Sequence, residues 1–425
     1  MQGEGRAVSL YVHVPFCRKK CDYCDFFSMG QNTCAHFDTL KADYVSAVVQ
    51  EVHFYAQYYN VSCWKTVYIG GGTPSQLAPA QVEALLRGIF SAAPAAPGAE
   101  ITMEVNPDDV TEALLASCAR AGIQRISMGV QAFDQRALDG VRRGASSQAA
   151  LRALELLQAR WQGRLSCDLI AGLPRHTYAS FADGVRTLVA FPNVDHISLY
   201  TLTVEDGTPL ARQIAAGTVR WSPEKADRLW LCGRNLLERA GFSQYEVSNF
   251  SKPGAQSRHN LTYWHLQDYI GCGAGASGSV YGVRGGEGLR WTNTTDVAAY
   301  NAFWLSCAPA ARPDGDPAQE EPALPRTTEV LSAATQEFEF LMMGFRLLSG
   351  VSAEEYKEVL ELRDKGYCSF IEDMWLNGDE NVVNIVEVTI LERLSDDKSV
   401  WNKFGKHISN DFIRFINNVV LAEML

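Results

Sequence analysis

The chain has 425 residues, 47% of them hydrophobic and 20% charged, the proportions of a folded protein and not of a disordered one. Its 38 basic and 49 acidic residues leave a formal charge of -11, so a general nucleic-acid binder is not expected. No stretch offers the roughly 18 consecutive apolar residues of a membrane span, and the first residues lack the apolar core of a signal peptide. With 11 cysteines, too sparse for a disulfide scaffold, a reducing, cytoplasmic setting is expected.

Between residues 8 and 203, strand-like runs alternate with amphipathic segments. The runs are 8–14, 66–70, 101–106, 125–131, 165–172 and 196–203; the helical segments between them are 37–59, 79–90, 111–121, 146–159 and 178–191. Six strands joined by five helices predict right-handed crossovers and a parallel α/β sheet. Six units are too few to close an eightfold barrel, so an open partial (β/α)6 barrel is expected, with its functional groups at the carboxyl ends of the strands. Further on, a helix is predicted over 223–240, a strand over 243–247, and a Gly-rich turn over 269–277. A Pro- and Ala-rich stretch at 308–326 reads as a loop or linker. From 330 the pattern is helical again, with Phe338–Leu348 as a core helix, and the last sixty or so residues shift toward Asn, Asp, Lys and Ile.

One cysteine cluster stands out. The first strand ends Tyr11-Val-His-Val-Pro-Phe-Cys17-Arg-Lys-Lys-Cys21-Asp-Tyr23-Cys24, placing three thiols in eight residues where the chain must loop over the sheet end. The other cysteines are scattered singly, which leaves a structural zinc site short of its usual fourth ligand. Three thiolates on a four-iron cube instead leave one iron open to an exogenous donor.

Polar residues interrupt the later strands. Gly71, Gly72 and Thr73 end the second run, where bare backbone can approach a ligand closely. Glu104 is a carboxylate inside an apolar strand and needs either a salt-bridge partner or a ligand. Gln131, Arg143 and Asp168 repeat the theme in or just beyond their strands, and together they point to one strand-end pocket.

The Cys-x-x-x-Cys-x-aromatic-Cys spacing resembles the radical S-adenosylmethionine (SAM) superfamily. Tyr-Val-His-Val-Pro-Phe-Cys, Gly-Gly-Gly-Thr-Pro, Glu-Val-Asn-Pro, Met-Gly-Val-Gln-x-Phe, Asp-Leu-Ile-x-Gly-Leu-Pro and Tyr-Glu-Val-Ser-Asn-Phe resemble one family within it. That family holds oxygen-independent coproporphyrinogen III dehydrogenase (HemN) and the heme chaperone HemW. The resemblance implies a [4Fe-4S] cluster on Cys17, Cys21 and Cys24, with the open iron chelating SAM. It implies SAM contacts at Tyr11, Tyr23, Gly71, Gly72, Thr73, Glu104, Gln131, Arg143 and Asp168, the last two belonging to either a second SAM or a substrate pocket.

Within the family, three features favour the chaperone branch. Cys24 is followed by Asp25-Phe26 where the dehydrogenase has a further cysteine two residues on, the stretch before Cys17 is short, and His259-Asn260-Leu-Thr-Tyr263-Trp264 matches the chaperone's His-Asn-x-x-Tyr-Trp motif. In that branch the motif is implicated in heme binding, which makes His259 a candidate heme ligand. The expected function is a heme chaperone that delivers heme to acceptor hemoproteins, respiratory ones foremost, and a peripheral membrane association fits. The alternative is the dehydrogenase, an enzyme that decarboxylates coproporphyrinogen III to protoporphyrinogen IX. The expected organisation is a radical-SAM partial barrel at 1–205, a barrel-completing extension at 206–306, a linker at 307–329 and the family's small helical carboxy-terminal domain at 330–425.

Overall fold

The computed structural model describes residues 5–31, 37–281, 287–306 and 325–351. Most of the expected linker, and the expected carboxy-terminal domain beyond Val351, lie outside the described residues. The chain divides into two compact units, Met1–Gln336 and Glu337–Leu425.

The first unit is built on a mixed sheet. Its centre is six parallel strands, β1 (Arg6–Val14), β2 (Val61–Gly71), β3 (Ala95–Val105), β4 (Arg125–Gln131), β5 (Arg164–Ala171) and β6 (Val194–Thr201), adjacent in chain order. Helices α1 (Phe37–Tyr58), α2 (Pro79–Ala92), α3 (Glu112–Arg120), α5 (Ser147–Arg160) and α6 (Tyr178–Val189) form the crossovers, with a short α4 (Gln135–Gly140) preceding α5. Side-chain caps fix where these helices begin: Thr111, Ser146 and Thr177 accept from the backbone N–H of Leu114, Ala149 and Ser180. The sheet continues past both edges. Beyond β6 lie the antiparallel strands β8 (Asn249–Ser251) and β7 (Ser243–Gln244). On the free side of β1, β9 (Tyr269–Cys272) adds in parallel, followed by antiparallel β10 (Ser277–Val280), β11 (Gly288–Asn293) and β12 (Arg326–Leu331). The order β12-β11-β10-β9-β1-β2-β3-β4-β5-β6-β8-β7 leaves an open sheet, as the six-unit count predicts.

The two faces of this sheet differ chemically. Leu10, Val12, Val67, Ile69, Ile101, Met103, Ile126, Met128, Leu165, Cys167, Ile197 and Leu199 belong to one buried core with the helices. Their neighbours in sequence point the other way, since strand side chains alternate. Those neighbours are Ser9, Tyr11, Tyr68, Thr102, Glu104, Arg125, Ser127, Ser166, Asp168 and Ser198. The sheet is therefore an apolar wall toward the helices and a polar lining toward its concave side.

Two element expectations need correction. The strand read over 243–247 stops at Gln244, because the chain reverses around Glu246, whose carboxylate accepts from Ser248 N at 3.2 Å, and returns as β8. The helical reading from 330 misses β12, a strand whose residues Thr327–Val330 are all exposed and whose order comes from pairing with β11. The helix itself, α11 (Ala333–Gly344), begins earlier than Phe338 and stops at Gly344, a poor helix former. The remaining helices are α7 (Pro209–Ala215), α8 (Pro223–Arg239), α9 (Arg258–Trp264) and α10 (Val297–Ser306).

Candidate functional site

The carboxyl ends of the parallel strands open into a cavity of about 380 Å³, within the size range of small-molecule sites. Tyr23, Cys24, Gly71, Gly72, Thr73, Glu104, Gln131, Arg143 and Asp168 all line it. Cys17 and Cys21 stand beside it: the Cys17 thiol lies 3.4 Å from Thr73 Oγ1, and Arg143 Nη1 donates to Cys21 Sγ at 3.6 Å. Eleven of the thirteen predicted residues are thus brought together at one strand-end site. Tyr11 and His259 are not among the lining residues.

The cysteine loop is held by its neighbours more than by itself. Asp22, 1% exposed between Cys21 and Tyr23, accepts from Arg142 Nε at 2.6 Å and Gln213 Nε2 at 2.8 Å. Its own backbone N–H donates to Val141 O, and its carbonyl accepts from Leu210 N. Behind the loop, Met29 N donates to Pro15 O and His13 Nε2 meets the Phe27 carbonyl at 3.0 Å. Burial raises the Cys17 thiol, and it pushes Cys24 up to about 11. Among the described residues, no group of three or more His, Cys, Asp or Glu side chains is gathered as a site for a single metal ion.

Gly71 and Gly72 turn under this loop. Gly72 N donates to Val14 O at 2.9 Å, and a Cβ on Gly72 would come within 2.9 Å of the Pro15 carbonyl carbon and 3.0 Å of Phe16 N. Gly71 has φ 109°, a conformation that favours glycine. Its N–H donates to Glu104 Oε2 at 3.1 Å, and Tyr68 donates its hydroxyl to Glu104 Oε1 at 2.7 Å. Burial pushes the Glu104 carboxyl up to about 7, with the Tyr68 hydrogen bond opposing and Asp168 adding to the shift. Asp168 is also raised by burial, with the Ser198 hydroxyl and Arg125 pulling it back.

On the other side, Arg143 Nη2 donates to Asn106 Oδ1 at 2.7 Å and to Gly129 O at 2.8 Å, while its buried Nε has no partner. Gln131 ends β4 at φ 66°, and a Cβ on Gly129 would lie 2.8 Å from Gln131 Nε2. A left-handed backbone at a non-glycine residue costs about 1–3 kcal/mol and collects at functional sites. The Glu104 and Asp168 carboxylates, the Arg143 guanidinium and the bare backbone of Gly71 and Gly72 around one cavity suit a small ligand carrying both an amine and a carboxylate.

Sequence reasoning missed several contributors. Asn106 was legible in the Glu-Val-Asn-Pro motif, but its partner Arg143 is 37 residues away. Asp22 carries no local signal, since its partners come from residues 142 and 213. Phe26 and Tyr200, 66% and 42% exposed, also line the cavity.

His259 lies elsewhere. It is 1% exposed in α9, with Nδ1 2.6 Å from Thr66 Oγ1 and Nε2 2.8 Å from the Tyr263 hydroxyl. Tyr11 stacks toward Tyr68 and places its hydroxyl 2.9 Å from His13 Nδ1.

The radical SAM superfamily model matches residues 11–188, and the model of a domain of unknown function (DUF7674) matches residues 355–420. The chain is 35% identical over 352 residues to the heme chaperone HemW of Escherichia coli, covering 82% of this chain and 85% of that protein. It is 31% identical over 366 residues to HemW of Lactococcus lactis, covering 85% and 86%. To the mitochondrial radical S-adenosyl methionine domain-containing protein 1 of Bos taurus it is 38% identical over 277 residues, spanning 65% of this chain and 61% of that protein. Among solved structures, coproporphyrinogen III oxidase (HemN) from Escherichia coli superposes with a TM-score of 0.70 at 19% identity over 90% of each chain, a likeness of fold.

Proposed function

Because the chain belongs to the HemW family of radical SAM proteins, we propose that it is a heme chaperone, holding a [4Fe-4S] cluster and SAM and passing heme to acceptor hemoproteins. The observation that carries this reading is the cavity itself. It gathers the cysteine loop, the glycine turn, Glu104 and Arg143 around a volume of about 380 Å³.

The donor set fits the family's cofactors. Cys17, Cys21 and Cys24 would hold three corners of the cluster, and Glu104 and the Gly71–Thr73 turn would face the SAM amine. Arg143, which lines the cavity, would face an oxygen of the ligand with its charge. When bound, the cluster supplies one electron to SAM and the open iron that chelates it. The chain's own part is to fix the loop through Asp22, to keep Glu104 turned into the cavity through Tyr68 and Gly71, and to keep Arg143 charged. Burial works against that charge, and Tyr23 and Cys21 offset it. Heme would pack on the ring faces of Phe26 and Tyr200.

A cytoplasmic setting fits the eight described cysteines, all of them free. Among the described residues no helix is long and apolar enough to cross a membrane. Delivery to respiratory acceptors at the membrane surface would then rest on peripheral association. Of the expected domains, the core at 1–205 and the extension at 206–306 would act together, the latter supplying strands on both sides of the core sheet.

The test uses protein reconstituted without air, given SAM and a reductant. The expected results are about four irons per chain, as a four-iron cube requires, one heme per chain, and transfer of that heme to an apo-hemoprotein. Conversion of coproporphyrinogen III to protoporphyrinogen IX would overturn the chaperone reading in favour of the dehydrogenase.

A further inference from the structure

The His-Asn-x-x-Tyr-Trp segment forms α9, which packs under the polar concave face of the sheet. Two backbone N–H groups at its start, of Arg258 and His259, donate to the Glu100 carboxylate on β3 at 3.2 and 3.0 Å. On its next turn, Thr262 Oγ1 lies 3.1 Å from Ser9 Oγ of β1. These contacts fix the helix to the sheet, and His259 is its most enclosed side chain.

Both imidazole nitrogens are occupied there, one by Thr66 and one by Tyr263. Burial lowers the His259 imidazolium to about 3, so the ring is neutral and donates through one nitrogen while accepting through the other. Iron ligation would break one of these bonds and leave a buried hydroxyl without its partner. The ring's face has a different use. It stacks on Tyr68 with centroids 5.0 Å apart and planes 23° apart, and Tyr68 stacks in turn on Tyr11 at 6.3 Å and 29°. Tyr263 meets the His259 ring edge-on at 5.1 Å.

This column branches upward. Through its hydroxyl, Tyr68 holds Glu104 at 2.7 Å. Tyr11 reaches His13 at 2.9 Å, and His13 reaches the Phe27 carbonyl in the cysteine loop at 3.0 Å. We propose that His259, braced by Tyr263 and Thr66, is a positioning residue that sets the Tyr68 ring and through it the Glu104 carboxylate for SAM, and that it is not a ligand of heme iron. The proposal rests on the SAM-binding reading of Glu104 given above.

The experiment measures the SAM dissociation constant, the iron content and the heme spectrum of the full chain, reconstituted anaerobically. Tyr68→Phe and Tyr263→Phe each delete one hydroxyl and keep the ring; His259→Ala removes the imidazole. The expected result is SAM binding weakened on the order of tenfold, about 1.4 kcal/mol, in all three variants. Tyr68→Phe with His259→Ala should be no weaker than the worse single variant, because the two act in series. Iron content, heme stoichiometry and the axial-ligand signature of ferric heme should stay at wild-type values. A change of axial ligation in His259→Ala with SAM affinity intact would overturn the proposal. Should His259→Ala fold poorly, the two phenylalanine variants decide, and wild-type SAM affinity in both would overturn it. Absence of heme from the wild-type protein would defeat the chaperone reading, while the SAM measurements would still settle the role of His259.

Discussion

Glu104 makes the sharpest residue-scale prediction. Burial places its carboxyl near 7, so below that pH it is protonated and poorly suited to accept from an ammonium group. SAM affinity should fall as the pH is lowered from 8 to 6, and Glu104→Gln should flatten that dependence, read from dissociation constants across the range. Gly72→Ala places a methyl against Pro15 and Phe16, immediately before Cys17. Lower iron content after reconstitution is expected, and wild-type iron would show that the backbone there yields. At Phe26, replacement by Ala should weaken heme binding severalfold without lowering iron content, measured by heme titration. Polar residues such as Glu104, Gln131 and Asp168 were legible because each breaks or ends an apolar strand, whereas Arg143 lies beyond its strand, between α4 and α5. Asp22 was not, since its role is set by Arg142 and Gln213, far along the chain. His259 was legible as a motif, but its contacts depend on strands that no local pattern could place beside it.

At the scale of elements, α1 carries a buried acid that ties it to the turn after β9, to β11 and to α10. Glu51 is fully buried; Oε2 accepts from Gly273 N at 2.7 Å and the Tyr300 hydroxyl at 2.5 Å, and Oε1 from Asn293 Nδ2 at 2.7 Å. Burial pushes its carboxyl up to about 7, with those three hydrogen bonds opposing. In this case the folded state binds the proton more tightly than the unfolded chain does. Glu51 therefore contributes a loss of stability as pH rises from the ordinary carboxylate range to about 7. Glu51→Gln should remove that slope. It also sets an amide N–H₂ against Asn293 Nδ2, so about 1–3 kcal/mol of stability should be lost at low pH, measured by denaturant unfolding. The six central strands and their crossovers followed from the alternation of strand-like runs with amphipathic segments. Strand β12 did not, because four successive exposed residues give no period and only its partner β11 defines it.

For the whole molecule, the change in composition near the carboxyl end has a counterpart in the family comparison. The Asn-, Asp- and Lys-rich tail falls where a domain of unknown function matches residues 355–420, while every candidate site residue lies in the unit Met1–Gln336. A chain ending after Val351 should therefore keep the iron and the SAM affinity of the full protein. Loss of either would assign the tail a part in the site. The family and its chemistry were legible from motifs at strand ends, where loops meet. The chemical difference between the two sheet faces was not, because small hydroxyl residues such as Ser9, Ser127, Ser166 and Ser198 blend into β-branched runs.

That polar lining has a thermodynamic corollary. A concavity walled by hydroxyls and carboxylates stays hydrated when empty, so loading it displaces solvent. Sucrose, kept away from protein surfaces, should then tighten SAM binding as its concentration rises, and the slope of log Kd against osmolality would count the waters expelled.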